Sequence, residues 1–198
     1  MGVPSSGAGG YRHDTSGESF RKHEEIGRAM IPKIYQVEVK LCVVRMAFPP
    51  SGGWRVTLDV DPMECGRGGC HPAGKSERAL AALEALRLLG ATIEEHDIYG
   101  RVDIVADHPD HGRRLIEVEG DSSRQPEQAM YSALGQVLLR WNGWNEQLRY
   151  GLAVPDARPS RRQVAKLPLA VRRALGIELY LARCESIVIL GVDEAVPA

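Results

Sequence analysis

Two short stretches decide the fold: Gly100-Arg-Val-Asp-Ile-Val-Ala106 and Arg114-Leu-Ile-Glu-Val-Glu119. Both are rich in β-branched and other apolar residues, which favours strands. The segment His108-Pro-Asp-His-Gly112 between them has the composition of a turn. The sequence therefore predicts two neighbouring strands joined by a short connection.

An alternation of helices and strands surrounds this pair. Ser76 to Leu89 is predicted as a helix that Gly90 ends, and a second helix enters through Pro126. Further elements are predicted at Ala91–His96, Arg149–Val154, Ile177–Leu181 and Ser186–Leu190 (strands) and at Arg161–Ala174 (a helix broken at Pro168). The pattern indicates an α/β protein with a mixed central β-sheet flanked by helices.

The segment from Ile34 to Val60 has the residue pattern of strands without a helix between them. Ile34 to Met46 alternates and then becomes solidly apolar, and Trp54 to Val60 alternates again. A Pro/Gly/Ser cluster at Pro49–Gly53 separates the two segments. We therefore expect an antiparallel β-hairpin here, added to the core as an extension.

These patterns divide the chain into three predicted segments. Residues 1–18 are small and polar and are expected to be a flexible tail. Residues 19–74 are expected to hold a short helix at Ser19–Met30 and the hairpin. Residues 75–198 are expected to form the α/β core.

Composition excludes several classes of protein. The 198 residues are 43% hydrophobic and 26% charged, which excludes a wholly disordered chain. The formal net charge of −1 excludes a strongly basic nucleic-acid coat protein, although not a locally basic surface. No apolar run approaches the roughly 20 residues that span a bilayer, and Met1–Gly17 lacks a signal-peptide core, so we expect a cytoplasmic protein without membrane contact.

The placement of the acids is the most informative feature. Period-two geometry puts Glu117 and Glu119 on one face of their strand and Val118 on the other. Asp103, 14 positions before Glu117, lies one strand–turn–strand connection away. Three carboxylates on one sheet face repel one another unless a cation lies among them, and Mg²⁺ or Mn²⁺ suits such a site. The alternative is an amphipathic strand whose glutamates face solvent.

These residues resemble those of a known superfamily. The resemblance lies in Glu77-Arg-Ala-Leu80, Gly90, the Gly100–Ala106 strand and Ile116-Glu-Val-Glu-Gly120, and it spans about Lys75 to Leu190. The chain resembles the PD-(D/E)XK nucleases, whose restriction-endonuclease-like fold includes type II restriction enzymes and archaeal Holliday-junction resolvases. Their pattern is a helix Glu, an Asp on the second core strand and an acid-x-Lys on the third.

The resemblance implies a role for each matching residue. Glu77 would be the helix acid, with Glu84 as the substitute, and Asp103 and Glu117 would be the metal-binding acids. Glu119 stands where the family has its lysine, which orients or activates water and offsets transition-state charge. A glutamate adds negative charge instead, and it would bind a second ion or position the water.

Other residues have weaker signals. Gln136, like Gln128, lies off the apolar stripe of the second predicted helix. The resemblance implies that such glutamines face the site, and the alternative is that they are solvated. Lys75 or Arg124 would supply the missing positive charge or be a plain surface cation. A basic stretch that includes Arg158, Arg161, Arg162 and Lys166 would bind phosphates or only solubilise its face. Cys65, Cys70 and His71 have zinc-like spacing but no second pair, so reduced cysteines in a loop are the expectation.

The main hypothesis is a Mg²⁺- or Mn²⁺-dependent nuclease that hydrolyses DNA, with RNA as the other substrate class. A homodimer is expected if one site per chain cuts two strands. The alternative is a catalytically inactive nuclease-fold module that binds nucleic acid or a partner protein, which Glu119 favours. A third hypothesis is an α/β scaffold whose acids bind no metal.

Overall fold

The computed structural model describes residues 33–66, 72–121 and 126–197, which lie in one compact unit, Lys33–Ala198. In these ranges it contains seven strands and five α-helices. In chain order they are α1 Gln36–Ala47, β1 Arg55–Leu58, α2 Lys75–Leu88, β2 Thr92–Ile93, β3 Ile104–His108, β4 Gly112–Val118, α3 Pro126–Arg140, β5 Leu148–Pro155, α4 Arg158–Val164, α5 Leu169–Leu175, β6 Ile177–Arg183 and β7 Ser186–Leu190. None of the helices described is long and apolar enough to cross a membrane.

The strands form a single mixed sheet in the order β2-β1-β3-β4-β5-β6-β7. Strand β3 pairs antiparallel with β1 on one side and with β4 on the other, and β6 pairs antiparallel with β7. Strand β4 pairs parallel with β5, and β5 with β6, across connections that contain helices. The predicted α/β class with a mixed sheet is confirmed.

Helices cover both faces of the sheet. Ile104 and Ile116, which are register partners, pack with α1 and α2 on one face. Val105 and Leu115, also partners, pack with α3, α4 and α5 on the other. Because central strands are buried on both sides, their sequences read as continuous apolar runs rather than as a clean alternation.

The predicted N-terminal β-hairpin is wrong. Ile34 to Met46 forms helix α1 instead of a strand, and only β1, within the predicted Trp54–Val60, is extended. Six of the twelve residues of α1 are buried, and four of these are valines. Their spacing shows no clear helical period in the sequence, and tertiary packing overrides their strand preference. The Glu38 side chain accepts a hydrogen bond from the Tyr35 N–H at 2.8 Å, a helix-start signal that the sequence does contain. The predicted helix at Ser19–Met30 lies outside the described residues.

The later elements lie close to their predicted positions. Helix α2 is shifted by one residue from the prediction, and α3 begins at the predicted Pro126. The predicted break at Pro168 separates α4 from α5. One difference affects the site: Asp103 directly precedes β3 rather than lying inside the strand.

Gly120 allows α1 to approach the end of β4. A Cβ atom at Gly120 would lie 2.4 Å from the backbone nitrogen of Gln36, the first residue of α1. We expect Gly120→Ala to lower the free energy of unfolding by about 1–3 kcal/mol, because backbone must move to admit the methyl group. Gly135→Ala in α3 is the control: its Cβ meets nothing within 4 Å, so this change should stabilise by about 0.5–1 kcal/mol. Urea unfolding of both variants measures the difference, and equal effects would contradict the close approach.

Candidate active site

A cavity of about 780 Å³ lies where β3 begins and β4 ends. Because these strands are antiparallel, the start of one lies beside the end of the other, which brings Asp103 next to Glu117 and Glu119. The cavity is rich in charge. Its lining includes six carboxylates, Asp59, Asp61, Glu64, Asp103, Glu117 and Glu119, and three cationic side chains, Lys75, Arg101 and Arg140.

Asp103 is held firmly by its neighbours. Its Oδ2 accepts a hydrogen bond from the Val118 N–H at 2.8 Å. Its Oδ1 lies 2.8 Å from Lys40 Nζ and also accepts a longer hydrogen bond, 3.4 Å, from Gln36 Nε2. Two residues of α1, one turn apart, therefore fix the orientation of this carboxylate.

Lys40 is a fully buried cation that contacts two of the cavity acids, Glu64 and Asp103. Its ammonium lies 2.5 Å from the Asp59 carbonyl oxygen, 2.8 Å from Glu64 Oε1 and 2.8 Å from Asp103 Oδ1. Burial disfavours the ammonium, but the charges of Asp103 and Glu64 outweigh it, so the pKa of Lys40 is raised above its usual value. An ammonium has three donors, and these three acceptors use all of them.

Glu117 is an almost fully buried acid, 3% exposed. Burial first, and then the negative charge of Asp103 and a hydrogen bond between the two carboxyls, raise the pKa of Glu117 to about 8. Arg140 of α3 opposes this shift, since its Nη1 lies 2.8 Å from Glu117 Oε1. The geometry of that ion pair is poor, and Oε1 accepts no well-formed hydrogen bond.

Glu119 follows β4 and faces the same cavity. Its carboxylate has no hydrogen-bond or ion-pair partner among the residues that the structure describes. Burial, followed by the charges of Asp103 and Glu64, raises its pKa to about 7. Val118, between the two glutamates, instead packs in the core with α1 and α2. The structure thus brings the three predicted acids together and turns Val118 away.

Glu64 is a member of the site that sequence reasoning missed. It lies in the turn after β1, and its side chain is 8% exposed. Oε1 accepts from Lys40 and from the Asp61 N–H at 3.0 Å, whereas the buried Oε2 has no hydrogen-bond partner. Burial raises the pKa of Glu64 despite the opposing charge of Lys40.

Two arginines that line the cavity, Arg101 and Arg140, form ion pairs with its acids. Arg140 donates to the Gln136 carbonyl oxygen at 3.1 Å and to the Arg101 carbonyl oxygen at 2.7 Å. Arg101 in turn pairs with Asp59 at 3.1 Å and with Asp61 at 2.9 Å. Gln136, predicted to face the site, does line the cavity. Of the six carboxylates that line the cavity, Glu119 alone has no ion-pair partner among the described residues.

Several predicted residues lie elsewhere. Glu77, the predicted helix acid, is exposed on α2 and does not line the cavity, and Glu84 is exposed beside Arg87. Lys75 lines the cavity, and its Nζ donates to the Met63 carbonyl oxygen at 3.0 Å. Arg124 lies outside the described residues. The helix that supplies the site is therefore α1, through Gln36 and Lys40, rather than α2.

The predicted basic stretch does not form one free cationic face. Arg161 is hydrogen-bonded to Asp156, and Lys166 pairs with Glu127 at 2.8 Å. Arg158 and Arg162 are exposed on α4 without an acidic partner in the described part of the chain. None of these four side chains lines the cavity.

The acids supply only part of a metal site. In the described ranges, no three His, Cys, Asp or Glu side chains are placed so that they could share one metal ion. Mg²⁺, however, commonly uses one or two carboxylates and keeps several waters. The hydrogen-bonded carboxyl pair Asp103–Glu117, whose Glu117 Oε1 has an ion-pair contact with Arg140 but no well-formed hydrogen bond, fits that pattern. Of the residues with zinc-like spacing, Cys65 is buried, and Cys70 and His71 lie outside the described residues.

Comparisons of the chain with protein-family models, with curated proteins and with solved structures found no match. The chemistry of the site must therefore be inferred from the residues that form it.

Proposed function

We propose that the protein is a divalent-metal-dependent nuclease that hydrolyses phosphodiester bonds in DNA. The observation that supports this most strongly is the contact between Asp103 and Glu117 in an acidic cavity, where the pKa of Glu117 rises to about 8. Like charges held together cost free energy, and proteins keep such arrangements mainly where a cation or a reaction needs them.

Asp103 and Glu117 would hold the ion, Mg²⁺ or Mn²⁺, because hard divalent ions prefer carboxylate oxygens. When bound, such an ion polarises a phosphoryl oxygen and favours ionisation of a coordinated water. The protein's own part is to hold the two carboxylates. Lys40 and the Val118 N–H fix Asp103, and Arg140 approaches Glu117.

Glu119 would orient the attacking water. Its carboxylate faces the cavity and is free to accept a hydrogen bond from that water. Lys40 cannot take this role, although it lies near Asp103, because its three donors are already used within the protein. Lys40 instead keeps the Asp103 carboxylate ionised and in place. The lysine of the resembling family is thus replaced by Glu119, and its positive charge has no equivalent facing the cavity at that position.

The order of the elements supports the resemblance to PD-(D/E)XK nucleases. Among the adjacent strands β1, β3 and β4, Asp103 directly precedes the second, and Glu117 lies on the third. The resembling pattern has its acids at these places. The helix contribution differs, since α1 supplies a glutamine and a lysine where the family has an acid.

Cations at the cavity would receive the substrate's phosphates. Arg101 and Arg140 line the cavity and both retain contact with solvent. Arg158 and Arg162 would add a more distant phosphate contact. Cleavage of both strands of a duplex would need two copies of the site, so we propose a homodimer on DNA.

One observation favours a second candidate, a catalytically inactive module that binds nucleic acid or a partner protein. Lys40 and the Val118 N–H already occupy both oxygens of Asp103, so the acids are partly neutralised within the protein. In that case a divalent ion would gain little by binding there.

Calorimetric titration with Mn²⁺ separates the two candidates. We expect saturable binding by the wild type at pH 7.5 and at least roughly tenfold weaker binding at this site by Asp103→Asn, since one ligand of two is lost. Asp97→Asn, an exposed acid outside the cavity, is the matched control and should bind as the wild type does. Binding that does not depend on Asp103 would reject the nuclease in favour of the inactive module.

A further inference from the structure

The outer side of α3 and the segment that follows it expose several large apolar side chains. Tyr131 is 63% exposed, Leu138 47% and Leu139 89%. Tyr131 and Leu138 are seven residues apart, so they lie on one side of the helix, with Leu139 beside them. Trp141 and Trp144, just after the helix, are 39% and 37% exposed. We name these five residues the α3 patch; exposed apolar surface of this kind marks an interaction site.

The two tryptophans of the patch are held in place by the chain itself. The Trp141 Nε1–H donates to the Leu175 carbonyl oxygen, and the Trp144 Nε1–H donates to the Ala174 carbonyl oxygen, both at 3.0 Å. Because the one polar atom of each indole is satisfied, each ring has only apolar atoms left to offer a partner. Side chains that are already fixed lose little conformational entropy when a partner binds.

The patch lies in a segment with almost no charge. Of the 18 residues from 128 to 145, only Arg140 is charged, whereas 26% of the whole chain is. Arg140 is paired with Glu117 in the cavity. A surface without cations does not suit nucleic acid. In a two-fold symmetric dimer the same patch of each copy meets the other, so an uncharged patch fits its own copy without repulsion between like charges.

The exposed area of the patch suits the centre of a dimer interface. Its three aromatic side chains alone expose roughly 200–350 Å², and a stable dimer buries about 800 Å² on each partner. The two leucines add to this apolar centre. Exposed polar residues of the same helix side, Gln128, Ser132 and Asn142, would supply the polar rim that such interfaces have.

We infer that the α3 patch is the surface through which two copies of this chain form a two-fold symmetric dimer, without DNA or metal. Leu139, near the middle of the patch, would lie close to the symmetry axis and face its own copy. A neighbouring side of α3 contributes Gln136 and Arg140 to the cavity, so the dimer would hold two cavities at a fixed separation. The inference rests on the proposed function in expecting a homodimer, and it adds the surface where the copies meet.

Sedimentation equilibrium of the full chain, free of metal and DNA, tests the surface. Over roughly 1–100 μM we expect the mass of two chains for the wild type, and for Leu139→Lys a dissociation constant of the dimer at least roughly a hundredfold higher, because two ammonium groups would meet in a desolvated contact. Leu88→Lys is the matched control: Leu88 is 81% exposed on α2 and should dimerise as the wild type does. Both positions lie in the last turn of a helix, where a cation is favourable, so both variants should fold.

Opposite charges at one position supply the second measurement. Leu139→Glu alone should also be monomeric, and an equimolar mixture of Leu139→Glu with Leu139→Lys should recover the dimer. A mixture that stays monomeric, or equal weakening by Leu88→Lys, would overturn the inference. A single-chain mass for the wild type at every concentration would also overturn it and assign the patch to a different protein. These three results leave the proposed nuclease standing, whereas a dimer that depends on Leu139 but cleaves no DNA would uphold the inference and reject the proposed function.

Discussion

Replacing Lys40 with methionine is expected to lower the free energy of unfolding by about 3–5 kcal/mol. Methionine matches the length of the lysine stem but removes the ammonium. Asp103 and Glu64 would then keep their buried charges without the cation that lies 2.8 Å from each of them. Removing one member of a buried ion cluster is costly because the remaining charges are left uncompensated.

Lys166→Met is the matched control, since Lys166 is also paired with a glutamate at 2.8 Å but in an exposed position. Its loss should have a much smaller effect, because solvent screens such pairs. Chemical denaturation of both variants gives the comparison. Adding Glu64→Gln to Lys40→Met should recover part of the loss, because one of the stranded charges is removed. Similar, small losses in both lysine variants would contradict the buried cluster.

Replacing Glu117 with glutamine is expected to stabilise the protein at high pH. The folded-state pKa of Glu117 is raised from 4.5 to about 8, mainly by burial. At roughly 1.4 kcal/mol per pKa unit this is a penalty of several kcal/mol for the ionised form, and we expect to measure about 3 kcal/mol because water reaches the cavity. Glutamine keeps the shape and is never ionised.

Because the pKa of Glu117 is raised in the folded state, the gain in stability should appear only at high pH. A raised folded-state pKa means that the wild type has its full stability below pH 4.5 and loses it as the pH rises to about 8. The two proteins should therefore unfold alike near pH 4, and Glu117→Gln should be the more stable by about 3 kcal/mol above pH 8. Glu127→Gln is the control of opposite sign, because Lys166 lowers the pKa of Glu127. A gain that is absent or independent of pH would show that Glu117 is not a strained acid.

Sequence reasoning succeeded where local chemistry decides the structure. The Gly90 and Pro168 breaks, the start at Pro126 and the strand pair around Asp103 and Glu117 all depend on residues close in the chain. It failed at α1, whose buried position permits apolar residues on nearly every side and so hides the helical period. The alternation of apolar and polar residues from Ile34 to Lys40, with its valines, is also typical of a strand.

Three acids of the candidate site were predictable from the sequence, whereas Lys40 and the fourth buried acid, Glu64, were not. Asp103, Glu117 and Glu119 share a recognisable strand pattern, and the antiparallel register brings them together. Lys40 and Glu64 lie 63 and 39 positions before Asp103 in the chain, so only the packed fold places them beside it. The helical spacing of Gln36 and Lys40 would have indicated a shared face, had α1 been predicted as a helix.

Metal-dependent cleavage of DNA tests the central claim most directly. Supercoiled plasmid and labelled single strands are incubated with the wild type and with Asp103→Asn, with Mg²⁺, with Mn²⁺ or with a chelator. We predict cleavage by the wild type with at least one of the two ions, none with the chelator, and at least roughly a hundredfold slower cleavage by Asp103→Asn. No cleavage by the folded wild type with either ion, or equal rates for both proteins, would contradict the proposed function.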